Sequence, residues 1–188
     1  MTVGDRPLTS RMRACRLLAH RGVNTGMTMV GGREIARGAV VGLVSGLLAA
    51  GAMSLAHRAL REVDRQPVGS DKPEDPTIVV ARAAASLAGS ALDEGQKSRA
   101  GAAVHYAFGA VIGALYGAAA EVIPRVTTAL GVPFGIAVWL GAHVVAVPAL
   151  GLSEPPTRQP IGQEAEELAL HVVYGSVTEF VRRLLYRL

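Results

Sequence analysis

The chain has 188 residues, of which half are hydrophobic and only 18% are charged. Aromatic residues make up 4%, too few to fill a large soluble core, whereas the 22 glycines suit close packing of helices in lipid. The net charge is +4, but the arginines lie at the ends of apolar segments and not in a basic stripe with aromatics, which excludes nucleic acid as a partner. The single cysteine, Cys15, excludes a disulfide framework.

The N-terminal 33 residues predict a disordered tail, because they are rich in arginine and lack apolar periodicity. Met27 and Met29 stand just before the first apolar stretch, so either one is an alternative start of translation. We expect no cleavable signal peptide, since the first apolar run begins only near Ala36.

Four apolar stretches predict helices that cross a membrane, because about 20 apolar residues span the hydrocarbon core. Three stretches reach this length without charges. The fourth spans only if Glu167 and Glu179 lie near opposite interfaces or face the bundle interior, and it otherwise predicts an amphipathic helix in the interface. The predicted spans are 36–57, 100–121, 130–152 and 164–186.

The connection at 58–99 predicts an external loop with one helix. Asp75 followed by Pro76 is typical of a helix start, and an Ala-rich helix is expected over 77–92. Residues 34–188 are therefore expected to form an all-α integral membrane bundle of four transmembrane helices with an additional external helix. Counted over the whole chain, Lys and Arg are more numerous on the side of the two termini, which predicts that both termini are cytoplasmic. With a start at Met27 the count no longer decides the orientation.

Glycines recur every four residues in the first two spans, so they share one helix face and let two backbones approach closely. This pattern predicts faces that pack helices together or join copies of the chain into a homo-oligomer. The glycines concerned are Gly38, Gly42, Gly46, Gly109, Gly113 and Gly117.

Ionisable side chains predict two polar layers, one toward each membrane surface, and such groups within a membrane are functional candidates. The outer layer is expected to hold His57, His105, His143, His171 and Glu167. The inner layer is expected to hold Glu121, Arg125, Glu179 and Arg182, with Arg37 beside them. In that layer Arg125 is expected to neutralise Glu121, and Glu179 to pair with Arg182.

Each layer has a structural and a functional interpretation. The inner charges are typical of ion pairs that anchor helix ends. The outer imidazoles either hydrogen-bond between helices or bind a metal, carry haem or relay protons. A metal site would use His105, His143, His171 and Glu167, although no local ligand spacing supports it. No catalytic motif is present, so no enzyme activity and no defined cofactor are predicted.

Three segments, "HYAFGAVIGALYGAAAEVIPR", "GVPFGIAVWLGAHVVAVPALGLSEPP" and "EELALHVVYGSVTEFVRR", resemble the YagU-like family of bacterial inner-membrane proteins. The similarity covers roughly 38–187 and excludes His57 and the Pro-rich loop after it. The biochemical function of this family is unknown. The resemblance implies an inner-membrane location and a link to acid tolerance, and it supplies no catalytic residue. The resembling positions are His105, Glu121, Pro124, His143, Pro148, Gly151, Glu167, His171, Glu179, Arg182 and Arg183.

The sequence therefore predicts a non-enzymatic, multi-pass inner-membrane protein with the lipid bilayer as its partner. Its outer His/Glu cluster is expected to respond to protons, by charging imidazoles that then repel one another, or to bind a small cation. The alternatives are a haem- or metal-binding redox subunit and a purely structural or interaction protein.

Overall fold

The computed structural model describes residues 31–64, 75–152 and 156–188, and these residues form helices without any strand. The principal helices are α1 (Gly32–Asp64), α2 (Pro76–Leu87), α3 (Glu94–Val122), α4 (Val132–Val138), the three-residue α5 (Val147–Ala149) and α6 (Ile161–Leu185). A π-helical segment (Trp139–Ala146) joins α4 to α5, and 3-10 helices lie at Pro124–Gly131 and Pro156–Arg158. Residues 1–30 of the predicted tail over 1–33 and part of the predicted external loop, 65–74, lie outside the described residues. Gly32 and Arg33, also assigned to the tail, already belong to α1.

Among the described residues, three helices are long and apolar enough to cross a membrane: Gly32–Glu62, Glu94–Val122 and Pro124–Ala149. The all-α class and the apolar, membrane-type character of the predicted bundle are thereby confirmed. The fourth predicted span corresponds to α6, a single helix that does not reach this degree of apolarity because glutamates and arginines occupy both of its ends.

Side-chain caps set where α2 and α3 begin. Asp75 accepts a hydrogen bond from the backbone N–H of Thr77 over 2.8 Å, and Pro76 occupies the first helical position. Asp93 and Gln96 form a reciprocal capping box, with bonds of 2.8 and 2.9 Å between each side chain and the other residue's N–H. Helix α2 ends at Leu87, whereas the sequence predicted a helix to residue 92.

Glycines bring α1 and α3 into backbone contact, antiparallel to each other. A Cβ on Gly42 would lie 2.2 Å from the carbonyl oxygen of Gly113, and one on Gly46 would lie 2.3 Å from that of Gly109. Gly38 stands against Gly117 in the same way, at 2.6 Å. Both glycine faces are therefore used within one chain, where close approach maximises van der Waals contact.

A second glycine contact joins α6 to the beginning of the third apolar helix. A Cβ on Gly135 would lie 2.2 Å from the carbonyl oxygen of His171, and one on Gly175 would lie 2.4 Å from that of Gly131. Helix α6 also packs against α1. Among the described helices, α3 therefore packs on α1, α1 on α6, and α6 on α4. Helices α3 and α4 share no extended interface.

The turn from α3 into α4 is held in an unusual conformation. Ala129 and Leu130 have φ of 49° and 53°, and Gly131 continues the left-handed run with φ of 77°. A Cβ in this region crowds the following carbonyl, so each non-glycine residue costs roughly 1–2 kcal/mol.

The third apolar helix widens into the π-helical segment just before Pro148. Proline lacks an N–H and its ring clashes with the carbonyl four residues earlier, here that of Val144. Widening the helix by one residue per turn moves that carbonyl away from the ring. His143 lies within the widened segment, a kind of distortion often found at functional sites.

Candidate functional site

A cleft of about 1480 Å³ opens between α3 and the third apolar helix. At the end nearest the turn, Tyr116 and Phe134 stack with their ring centroids 4.1 Å apart. Apolar side chains such as Phe108 and Ile112 line the wall formed by α3. The volume exceeds that of an ordinary small-molecule pocket, and residues of α1, α2 and α6 also line the cleft.

Four histidines, His57, His105, His143 and His171, line this cleft, and we call them the histidine layer. They come from α1, α3, the π-helical segment and α6. The His143 and His171 rings have centroids 6.2 Å apart. The fold therefore brings together on one cleft the four imidazoles that the sequence assigned to one layer.

Two of these histidines contact carboxylates at the beginning of α6. His143 Nε2 lies 3.5 Å from Oε1 of Glu164, and His57 Nε2 lies 3.6 Å from Oε1 of Glu166. In the first pair, His143 Nε2 and both carboxylate oxygens of Glu164 are buried without a hydrogen bond. A buried polar group without a hydrogen bond is costly, so the charge state of this pair matters to the stability of the fold.

The other two histidines contact backbone carbonyls. His105 Nε2 lies 3.3 Å from the carbonyl oxygen of Ala50, which joins α3 to α1. His171 Nδ1 lies 2.7 Å from the carbonyl oxygen of Glu167, one turn earlier in α6, so this nitrogen carries the proton and donates it. Within the described part of the chain, no three His, Cys, Asp or Glu side chains are grouped closely enough to hold a metal ion.

At the opposite end of the bundle, Glu179 of α6 is fully buried and is the centre of a hydrogen-bond network. Tyr116 donates to it over 2.8 Å, and Arg182 donates from Nε and Nη2 over 2.7 and 3.1 Å. Arg183 donates from Nε over 2.6 Å and also reaches the carbonyl oxygen of Thr127, 2.9 Å away in the turn. Paired, bidentate bonds of this kind satisfy a buried carboxylate.

The sequence predicted that Arg125 neutralises Glu121, whereas in the structure Glu121 has a different partner. Arg125 is exposed, and Glu121 instead accepts a hydrogen bond from the Tyr186 hydroxyl. Arg37 and Arg182 lie over the ring of Tyr186, at 4.8 and 5.3 Å from its centroid. Burial, and then the bond to Glu121, raise the pKa of Tyr186 above its ordinary value.

A family model described as "Protein of unknown function (DUF1440)" matches residues 84–180, more than half of the chain. The chain belongs to the DUF1440 family. Neither the curated proteins nor the solved structures gave a match. The DUF1440 match includes His105, His143, His171 and Glu179, whereas α1 with His57 lies before it.

The sequence analysis did not assign to the two polar layers five residues of this DUF1440 protein that contact them in the structure: Tyr116, Glu164, Glu166, Arg183 and Tyr186. Helical spacing would have indicated some of them. Glu164, Glu167 and His171 follow one another at steps of three and four residues and share a face, and Arg183 stands four residues after Glu179. No local pattern indicates Tyr116, because its contact with Glu179 depends on how α3 packs against α6.

Proposed function

We propose that this chain is a YagU-like, four-span protein of the bacterial inner membrane, with both termini in the cytoplasm, in which the histidine layer responds to acid. The fourth span would be α6. Its buried face, which includes Gly175, packs against the other helices, and the two arginines and Tyr116 satisfy the buried charge of Glu179. Satisfied charges of this kind are tolerated within membrane bundles.

The observation that carries the proposal is the buried contact between His143 and Glu164. An imidazole is the side chain whose ordinary titration falls between pH 5 and 8. When His143 gains a proton, the contact becomes an ion pair with the carboxylate of Glu164. When it loses that proton, the carboxylate of Glu164 stays buried beside a neutral ring and the ion pair is lost. Acid therefore stabilises this contact.

Sequence alone predicted that charging the imidazoles would drive the helices apart, and the distances favour a different first response. The attraction between His143 and Glu164 acts over 3.5 Å, whereas repulsion between His143 and His171 acts over 6.2 Å. Attraction is the larger, so mild acid tightens the bundle before further protonation opposes it.

His57 extends the same response to α1. Its contact with Glu166, 3.6 Å long and about one-third exposed, becomes a second ion pair in acid. Solvent screens this pair more than the buried one, so its contribution is smaller. Together the two pairs join the beginning of α6 to α1 and to the π-helical segment. Acid would thus fix the outer ends of three helices, which fits a role in acid tolerance.

The proposal is tested by the thermal stability of the purified full chain in detergent at about pH 7.5 and about pH 5.5. Wild type should gain stability in acid, and the gain should disappear as the pH rises and His143 and His57 lose their protons. His143→Gln combined with His57→Gln should lose most of this gain. His20→Gln, which alters a histidine outside the described residues, should keep it. An acid gain that survives in the double variant would overturn the proposal.

A haem- or metal-binding redox subunit remains the second class of function. It would require His143 Nε2 to leave Glu164 and His105 Nε2 to leave the carbonyl of Ala50. These contacts favour the acid response over metal or haem ligation. A visible spectrum and metal analysis of the purified chain compare the two classes directly, since haem absorbs strongly and bound metal co-purifies.

A further inference from the structure

Two arginines stand at the mouth of the cleft, where α1 leaves the histidine layer. Arg58 and Arg61 both line the cleft and are exposed. Neither guanidinium forms an ion pair with another described residue. Two acidic residues also line the cleft, Glu167 in the histidine layer and Asp75 at the mouth. Asp75 already accepts hydrogen bonds from the backbone N–H and hydroxyl of Thr77, at 2.8 and 2.7 Å. The mouth therefore offers two cations to an anionic group.

Away from the arginines and the histidine layer, the cleft is lined mainly by apolar side chains and remains open to its surroundings. Phe108 and Leu115 are 46% and 62% exposed although both line it. A Cβ on Gly141, on the opposite wall, would meet no atom within 4 Å. Apolar walls with this much room fit a hydrocarbon chain better than water, because water would find few polar partners there.

Along α1 the cleft is as deep as one leaflet of a bilayer, and along α3 its lining continues to Ala119. Ala50 is the deepest lining residue of α1, and it lies about 16 Å below Arg61 along the helix axis at 1.5 Å per residue. Half of a hydrocarbon core is about 15 Å thick. A molecule with its charged group at Arg58 and Arg61 would therefore end its chain near the middle of the membrane.

We propose that the cleft binds an anionic phospholipid, with its phosphate held by Arg58 and Arg61 and an acyl chain lying between α3 and the third apolar helix. The charge of the mouth selects an acidic headgroup, and the apolar walls accept the chain. The lipid would share the cleft with the histidine layer, but its binding is measured at neutral pH and the acid response is measured as a change of stability with pH. Failure of one proposal therefore leaves the other standing.

The experiment measures lipid binding to the purified full chain in mild detergent at neutral pH, by native mass spectrometry and by the rise in melting temperature. The probes are phosphatidylglycerol and phosphatidylcholine with identical acyl chains. Wild type should bind phosphatidylglycerol more tightly and be stabilised by it. Arg58→Gln combined with Arg61→Gln should weaken that binding roughly 10- to 30-fold, as expected for two basic residues near an anionic headgroup. Binding of phosphatidylcholine should change little.

Two further variants locate the site. Gly141→Phe places a large side chain in the open part of the cleft and should reduce the binding of both lipids. Arg125→Gln combined with Arg33→Gln removes two exposed cations outside the cleft lining and should leave binding unchanged. Inorganic phosphate alone should give no stabilisation, since it lacks the chain.

Equal affinity for the two lipids in wild type would overturn the proposal, as would an equal loss in the Arg125 and Arg33 control. Stabilisation by inorganic phosphate would assign the arginines to a free anion instead. If Gly141→Phe leaves lipid binding intact but converts an oligomer into a monomer, as judged by mass in detergent, the occupant is a helix of a second copy and the lipid assignment is wrong.

Discussion

The Tyr116 hydroxyl donates a hydrogen bond to Glu179 over 2.8 Å and thereby joins α3 to α6 at the end of the bundle opposite the histidine layer. Glu179 is 0% exposed, and the two arginines after it in α6 complete its partners. This end of the fold is therefore fixed by a satisfied charge, whereas in the histidine layer the buried contact between His143 and Glu164 contains no hydrogen bond.

Replacing Glu179 should destabilise the fold far more than replacing an exposed member of an ion pair. Glu179→Leu leaves two guanidinium groups without their carboxylate, and we expect a loss of about 3 kcal/mol in the free energy of unfolding. Tyr116→Phe removes one hydrogen bond and should cost about 1 kcal/mol. Glu94→Ala, which removes the exposed contact with Lys97, should change stability by at most about 0.5 kcal/mol. Denaturation in mixed detergent measures all three, and similar losses would contradict the assigned role of Glu179.

Tyr186 should contribute to the loss of folding stability at alkaline pH. Its raised pKa means that the folded chain keeps the phenolic proton at pH values where the unfolded chain releases it. Its contribution is therefore complete below the ordinary tyrosine pKa of about 10 and is lost as the pH rises through the higher folded value. Tyr186→Phe should make the alkaline loss of stability less steep. Tyr106→Phe, which keeps the bond to Glu121, is the control, and identical slopes for the two variants would refute the prediction.

Alanine substitutions at glycines should change stability in opposite directions according to the space around each glycine. Gly42→Ala and Gly113→Ala force a Cβ to within 2.2–2.4 Å of a backbone oxygen and should cost about 3 kcal/mol or more. Gly141→Ala meets no atom and should be neutral or gain up to about 1 kcal/mol from helix propensity. Melting temperatures in detergent compare them, and a stable Gly42→Ala protein would show that α1 and α3 do not touch through their backbones.

The left-handed turn before α4 offers a site for stabilisation. Ala129→Gly removes the Cβ that crowds this conformation, and the free energy of unfolding should rise by about 1 kcal/mol. The matched control is Ala118→Gly, within the last two turns of α3, where the same change should lower it by about 1 kcal/mol. The two variants should therefore shift the melting temperature in opposite directions, and a shift of the same sign in both would contradict the turn conformation.

The sequence predicted the helices better than their distortions. Apolar length was enough to indicate the helices at α1, α3 and the third apolar segment, since a membrane-spanning helix needs little else. The π-helical segment was not predicted, although Pro148 provided a reason for it. The left-handed conformation of Ala129 and Leu130 could not be read from the sequence, because neither residue favours it and packing of the turn against α6 imposes it.

In the polar layers, the sequence indicated the ionisable side chains but not their partners. Helical spacing and apolar surroundings selected the four histidines and Glu179. The partners came from contacts between helices, as with Glu164 for His143 and Tyr186 for Glu121. Such contacts depend on rotation and crossing of whole helices. Residue types in one stretch do not determine these quantities.

The regular glycine steps of α1 and α3 have a consequence for how the two helices choose their register. Sliding one helix by a single turn, about 5.4 Å, would set Gly42 against Gly117 and Gly46 against Gly113, so two of the three glycine contacts would survive. The repeat by itself therefore permits several alignments. What separates them is side chains at the two ends of the contact, where Ala50 abuts Gly109 and Glu121 abuts Gly38. These bulkier side chains prevent the two helices from sliding along each other. A larger residue at Ala50 would therefore select a different alignment of the same two helices.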